Sequence, residues 1–448
     1  VTPAEALARL RAAEARDGRI AVEQRRALLA RLADSLLTHA EAIAAALDTD
    51  YGGRSRLETL LADVLCAVDA ARYARRHLRS WAKPRRVAVP YPFWPTTAHE
   101  EPVPKGIIAI MAPWNYPVQL ALVPVVDAIA AGNRVAVKPS EGTPRCAALI
   151  AQVLQEALGP DIAATVQGGP DVAADFAAQP WDHLVFTGGT TTGRKVAEAA
   201  ARNLVPVTLE LGGKCPAVVL PGANLAQAAR DILVGKVINA GQTCVAPDTV
   251  LLLGHSPEAF LAACRASGIG LPETALANDA QAARLDRLAE GARLERLAPD
   301  GAGRHRALAL AFPEPGHALL QEEVFGPILP VLALPDLPAA IAWITARPSP
   351  LAVYLFGAVI AETALVAGTV RCGAIVQDRA VEYAAFPALG FGGAGHSGYG
   401  RYKGFAGFVA FSTIRARVVH GKWSLSRIFD LPRKNFAPRL IERLVRKR

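Results

Sequence analysis

The chain has 448 residues, 52% hydrophobic and 20% charged, which suits two or three domains with large cores and excludes a disordered protein. No uninterrupted apolar run approaches the roughly 18 residues that a membrane span needs, and the six scattered cysteines, without Cys-x-x-Cys, argue against structural zinc or a disulfide framework. Of the net charge of +9, all is accounted for from Ile414 onward, where eleven Lys/Arg face Asp430 and Glu442; the remainder is neutral, and no nucleic-acid surface is expected. The start, Val1-Thr2-Pro3, has no basic-then-apolar leader, so the cytoplasm is the expected compartment.

Residues 3–48 and 54–81 read as amphipathic helices, with Leu28, Leu29, Leu32 and Leu36 on one face and Asp50-Tyr51-Gly52-Gly53 as the break. Pro84 to Pro95 reads as an extended arm. From Gly106 the pattern alternates. Strands are expected at 107–111, 134–138, 163–167 and 183–187, with helices at 118–131, 144–158, 171–178 and 191–202. A second round runs through 207–210, 216–220, a helix at 224–239, a strand at 248–253, and further strands and helices over 328–378. Such alternation predicts parallel sheets with helices on both faces, in two α/β domains.

Two residues stand out chemically. Cys244 lies in Gly241-Gln242-Thr243-Cys244 and Glu210 in Glu210-Leu211-Gly212-Gly213-Lys214. A thiol nucleophile and a carboxylate base can make and then hydrolyse a thioester. Alone, each has a plainer reading, as a packed small hydrophobe and a solvated charge. The surrounding glycines favour the chemical one, because they permit close backbone approach to a ligand. Asn115, between Pro113 and Pro117, is either a rigid amide donor for an oxyanion or a turn cap. Lys138 and Glu141 close a strand, where a nucleotide ribose binds in parallel sheets but where charges are also commonplace. The run Phe186-Thr187-Gly188-Gly189-Thr190-Thr191-Thr192-Gly193 joins strand to helix and suits a phosphate, although it matches neither the Gly-x-Gly-x-x-Gly fingerprint nor the P-loop. Glu323 beside Phe325, and the loop around Phe391, complete the candidates.

In this order and spacing, from about residue 100 to 410, these motifs resemble the aldehyde dehydrogenase superfamily. Arg347-Pro348-Ser349-Pro350-Leu351 and the residues after it are similar to the class-3 and coniferyl-aldehyde-dehydrogenase-like subgroup. The resemblance implies a Rossmann-like NAD-binding domain (1–84 and 99–209), a second α/β catalytic domain (210–395), an oligomerisation arm (85–98 and 396–420) and a basic tail (421–448). It implies oxidation of an aldehyde, aromatic or medium-chain apolar, to the acid, with Cys244 as nucleophile, Glu210 as base for water, and Asn115 with the Cys244 amide as oxyanion donors. Lys138 and Glu141 would hold the adenosine ribose. Trp114, Gly188, Gly189, Thr190 and Gly193 fall in the pyrophosphate region. Glu323 and Phe325 would meet the nicotinamide end, with Leu211 and Gly212 beside them. Tyr116 and Phe391 would line the substrate pocket. No metal is implied.

The Glu141 carboxylate favours NAD over NADP, which remains possible, and a homodimer is implied. A CoA-acylating enzyme and a silent NAD-binding homologue are the alternatives, against which Glu210 and the intact trio argue. Gly189, Gln377 and Gly390 depart from the family's Ser, Asn and Pro, and residues 254–320 look shortened and irregular. The tail mixes Trp423, Leu425, Ile428, Phe429, Leu431, Phe436, Leu440, Ile441, Leu444 and Val445 with basic residues, a pattern that fits either a dimer element or contact with an anionic membrane.

Overall fold

A computed structural model describes residues 1–422, 427 and 437–446. Three sheets organise them. In the first, six strands run in the order Gly398–Tyr399, Val207–Leu211, His183–Gly188, Ile107–Met111, Arg134–Lys138, Ala163–Thr165. All pair in parallel except Gly398–Tyr399, which lies antiparallel with Gly398 opposite Glu210. Ile107–Met111 and Arg134–Lys138 are buried at every position, as central strands covered by helices on both faces must be, the second with charged residues only at its two ends. The chain builds outward from Ile107–Met111 in one direction, then returns to add His183–Gly188 on its other side. That reversal opens a crevice at the carboxyl ends of these two strands, where ligands bind in open α/β sheets.

Seven strands form the second sheet, in the order Arg293–Arg296, Ala309–Phe312, Ile328–Leu334, Thr249–Leu253, Pro216–Val219, Ala352–Phe356, Ala374–Gln377. The third is a three-stranded arm, Arg85–Val87, Thr97–Pro104 and Ser412–Val419, in that order.

The structure redraws several expected limits. The first long helix is three, Pro3–Asp17, Val22–Thr38 and Ala40–Tyr51, because Gly18 (φ 67°) and His39 each end one. Residues 254–320 are regular rather than irregular, holding helices Pro257–Ala266 and Asp279–Ala289 and strands Arg293–Arg296 and Ala309–Phe312. Thr97–Pro104 joins the arm because it pairs along its whole length with Ser412–Val419. Gly398–Tyr399 joins the sheet that carries Glu210 rather than the arm. Within 54–81, Thr59–Leu65 winds as a π-helix.

No helix among the described residues is long and apolar enough to cross a membrane. Ala437–Arg446 is helical with Ile441 and Val445 exposed, while Trp423, Leu425, Ile428, Phe429, Leu431 and Phe436, and the side chains of Leu440 and Leu444, lie outside the described residues.

Candidate active site

Asn115 sits on the turn between strand Ile107–Met111 and helix Pro117–Ala131, at the crevice. Its side chain is buried, and Nδ2 donates to the Gln242 carbonyl at 3.1 Å. An amide nitrogen carries two hydrogens, so one remains to meet a developing oxyanion.

Cys244 follows a backbone that only tertiary contacts sustain. Asn239, Ala240 and Gly241 take consecutive left-handed conformations at φ 51°, 52° and 72°. Such φ values cost roughly 1–2 kcal/mol per residue outside glycine. Their compensation is dense. Asn239 Nδ2 donates to the carbonyls of Asn115 (3.0 Å) and Gln242 (3.1 Å), and its N–H donates to Glu58 at 3.1 Å. Gln242 uses both amide hydrogens and its oxygen, donating to the carbonyls of Asn239 and Ala275 and accepting from the Ala277 N–H. Gly241 is required for a second reason, since a Cβ there would strike the Gly326 carbonyl. The Cys215 thiol donates to the Cys244 carbonyl at 3.3 Å and accepts the Ala352 N–H at 3.3 Å, tying the loop to strand Ala352–Phe356 of the seven-stranded sheet. Burial, with Glu323 and Glu210 nearby, pushes the Cys244 thiol up to about 12.

Glu210 is in the opposite condition. It is 3% exposed, and neither carboxyl oxygen has a hydrogen-bond partner among the described residues. Desolvation raises its pKa well above the usual carboxylate range, with the Gly393 amide and Arg401 pulling back part of the shift. The loop 391–393 covers it closely enough that a Cβ on Gly392 would lie 3.1 Å from Oε1.

These three residues face one cavity of 610 Å³, whose wall also includes Trp114, Gly188, Gly189, Thr190, Leu211, Gly212, Glu323 and Phe325. Trp114 and Phe325 meet edge to face at 5.6 Å. The crevice suits a dinucleotide. Helix Thr190–Ala201 presents its N-terminus to it, and a side chain at Gly189 would meet nothing within 4 Å. At Gly212 a Cβ would strike the Glu323 carboxylate, and at Gly193 it would come within 2.5 Å of Leu211 Cδ2. Burial and the charge of Asp248 push Glu323 up to about 8.

Other expected residues lie off this wall. Lys138 is buried and pairs with the half-exposed Glu141 at 2.8 Å. Gly193 packs behind, on Leu211 and Phe186. Tyr116 hydrogen-bonds Thr243 at 2.8 Å. Phe391 lines a separate 410 Å³ cavity with Tyr383, Phe386 and Leu389. Gln377, one of the departures, is used structurally, its amide donating to the Ala358 carbonyl at 2.6 Å.

The wall also contains Thr187 and Thr191 of the phosphate run, and residues that sequence reasoning passed over: Leu120, Gln281 and Arg284. Arg284 donates to the carbonyls of Glu323 (3.1 Å) and Phe325 (3.4 Å), fixing the loop that carries both. It comes from helix Asp279–Ala289, inside the stretch that looked irregular, and no local motif announces it.

Comparison with known proteins agrees with this geometry. Residues 3–416 match the aldehyde dehydrogenase family. A coniferyl aldehyde dehydrogenase of Pseudomonas sp. strain HR199 is 38% identical over 87% of this chain and 85% of its own length. The solved structure of Staphylococcus aureus AldH in a substrate-bound state superposes with a TM-score of 0.91 at 30% identity, covering 99% of each chain. PnpE in complex with nicotinamide adenine dinucleotide superposes at 0.85 with 25% identity, over 94% of this chain and 90% of that one. The Rossmann-like sheet, the glycine-bordered crevice and a match across nearly the whole chain have one meaning: the protein belongs to the aldehyde dehydrogenase family, enzymes that oxidise aldehydes.

Proposed function

We propose that Cys244, Asn115 and Glu210 carry out NAD-dependent oxidation of an aromatic or apolar aldehyde to its acid. The observation that carries this reading is the meeting of thiol, amide and unpartnered carboxyl on one cavity. Cys244 loses its proton to solvent water, the Sγ thiolate adds to the aldehyde carbon, and the oxyanion is met by the free Asn115 Nδ2 hydrogen and the Cys244 N–H. Bound NAD supplies the acceptor for the hydride leaving that carbon. Glu210 then takes a proton from water, hydroxide adds to the acyl carbon, and the C–S bond breaks to release the acid, the departing thiolate taking the proton back from Glu210 to regenerate the thiol. The desolvated Glu210 is suited to this, because its raised pKa makes it a stronger base than a solvated carboxylate.

The cofactor reading rests on the glycine-bordered helix terminus, on Lys138 with Glu141, and on Glu323. Glu141 would repel a 2′-phosphate by up to roughly 4 kcal/mol at 4 Å and an effective dielectric near 20, less for a half-exposed group. NAD is therefore the preferred cofactor, and equal or better kcat/KM with NADP removes that preference. The coniferyl aldehyde dehydrogenase relative supports an aromatic substrate. Tyr116 and Phe391 are the proposed pocket residues, although they stand off the main cavity wall.

The first sheet with its helices is the dinucleotide-binding unit, the second the catalytic unit, and the arm an oligomerisation element. Two open edges support a homodimer. Ser412–Val419 is exposed at Ile414, Val418 and Val419, and Ala374–Gln377 ends the seven-stranded sheet. A two-fold axis would let each copy's arm pair with the other's sheet edge. The basic helix Ala437–Arg446 is proposed to touch anionic lipid. Unchanged sedimentation with anionic vesicles after truncation at about Val419 overturns that.

Incubation with coniferaldehyde and NAD, with and without CoA, tests the reaction itself. Acid formed without CoA is expected. An acyl-CoA product only, or no reduced cofactor with any of a panel of aromatic and aliphatic aldehydes, overturns it.

A further inference from the structure

The turn carrying Asn115 is gripped from behind by side chains that never reach the cavity. Its backbone carbonyl accepts from Arg54 Nη1 (2.8 Å), from Tyr51 OH (3.2 Å) and from Asn239 Nδ2 (3.0 Å). The Tyr51 hydroxyl also reaches the Trp114 carbonyl at 3.0 Å. Arg54 Nη2 pairs with Asp63 Oδ2 at 2.7 Å, and both side chains are 0% exposed. The other Asp63 oxygen accepts the N–H groups of Val118 and Gln119, each at 3.0 Å. These belong to the first turn of helix Pro117–Ala131, so Asp63 caps that helix from a distant element. One buried ion pair thus holds residue 115 by its carbonyl and the helix just after it by its free N–H groups.

Three features argue that this is more than ordinary packing. A buried pair is a weak source of stability, because desolvation offsets most of the attraction, whereas its geometry is specific. Arg54 is also extended across three partners, Asn115, Asp63 and Thr59, which only a planar guanidinium can span. Asp63 lies in the π-helical turn Thr59–Leu65, an uncommon winding often found at functional sites.

We propose that Arg54, Asp63 and Tyr51 are positioning residues for acylation, fixing the Asn115 backbone so that its free amide hydrogen points at the oxyanion. The proposal rests on the assignment of Asn115 as oxyanion donor. Shifts of about 1 Å at a reacting centre can cost on the order of 10²-fold in rate, so a partial loosening is visible in kinetics.

The test measures single-turnover hydride formation from coniferaldehyde and NAD in Arg54→Lys, in Tyr51→Phe, and in each combined with Asn115→Ala. The NAD Kd, and the rate of iodoacetamide labelling of the Cys244 peptide read by mass spectrometry, are measured beside it. Asn115→Ala alone is expected to slow hydride formation about 10²-fold. Arg54→Lys is expected to slow it about tenfold and Tyr51→Phe about threefold, with labelling and NAD Kd unchanged. Added to Asn115→Ala, either should cost less than about twofold, since both act through that residue. If Arg54→Lys does not fold, Tyr51→Phe, which removes one oxygen, decides by the same criteria. Equal losses in both backgrounds, labelling that falls in parallel, or wild-type hydride rates overturn the proposal. An undiminished rate in Asn115→Ala removes the oxyanion assignment itself, and this inference with it.

Discussion

The loop of Cys244 and the site of Glu210 are solved in opposite ways, although both face one cavity. Around the thiol, three successive left-handed residues are held by the amides of Asn239 and Gln242, a second thiol and the Asn115 turn, with only the Asn239 Oδ1 left unpartnered among the described residues. Around the carboxyl, both oxygens are buried without a partner. An unsatisfied buried group costs roughly 1–3 kcal/mol, and more when charged, so the second arrangement is a standing expense of the fold. The difference follows from the chemistry. On the proposed reading the nucleophile has to be placed, and its hydrogen-bonding neighbours are spent on placing it. For the proposed base, desolvation outweighs the Gly393 amide and Arg401, which pull its pKa down only in part.

Removing the reacting atom gives the largest effect. Cys244→Ala should lower hydride formation by roughly 10⁵-fold or more, to below detection, while NAD affinity stays near wild type. Glu210→Gln should break the other side alone. A hydride burst remains in stopped flow, and steady turnover falls by about 10²–10⁴-fold. A desolvated carboxyl is deprotonated only as the pH climbs above the usual carboxylate range, so wild-type turnover should rise with pH there, and the Gln variant should show no such rise. Normal turnover in Glu210→Gln would falsify the base assignment.

A milder change probes how much placement matters. Gly241→Ala puts a Cβ at φ 72° against the Gly326 carbonyl. The left-handed conformation alone costs roughly 1–2 kcal/mol. The contact adds to it, so the loop should shift and the burst slow by about tenfold or more, with NAD Kd little changed. A wild-type burst rate in this variant would show that the loop tolerates movement and that the contrast with Glu210 is overstated.

The residues on the two sides of this contrast were legible in the sequence, but the contrast itself was not. The alternation after Gly106 gave the parallel sheets, because buried central strands need unbroken apolar runs. Cys244, Glu210 and Asn115 stood in motifs short enough to read. The anchoring of the thiol was not legible, because it runs through Cys215, Ala275 and Ala277, each remote from Cys244 in sequence and ordinary in type. Nor was the role of Arg284, whose partners are main-chain carbonyls some forty positions away. The arm, expected to end at residue 98, continues to Pro104 for a related reason, since pairing of Thr97–Pro104 with Ser412–Val419 is decided by register across most of the chain. The unpartnered state of Glu210 is the least readable of all, for it consists of contacts that the folded chain does not make.

That missing contact leads to the smallest expected effect, which is on stability. A carboxyl whose folded pKa is raised favours the native state fully below the unfolded value, near 4.3, and progressively less as pH rises toward the folded value. Wild type should therefore lose stability over that window through Glu210, and Glu210→Gln should not. The buried Gln amide carries a desolvation cost of its own, so near pH 5 the two proteins should melt within about 1 °C of each other. By pH 9 the variant should melt higher by roughly 1–2 °C, although it has lost most of its turnover. Differential scanning calorimetry at both pH values checks this. A gap that stays constant, or that widens in favour of wild type, would mean that Glu210 finds partners in solution, and the two halves of the site would then differ less than their hydrogen bonds indicate.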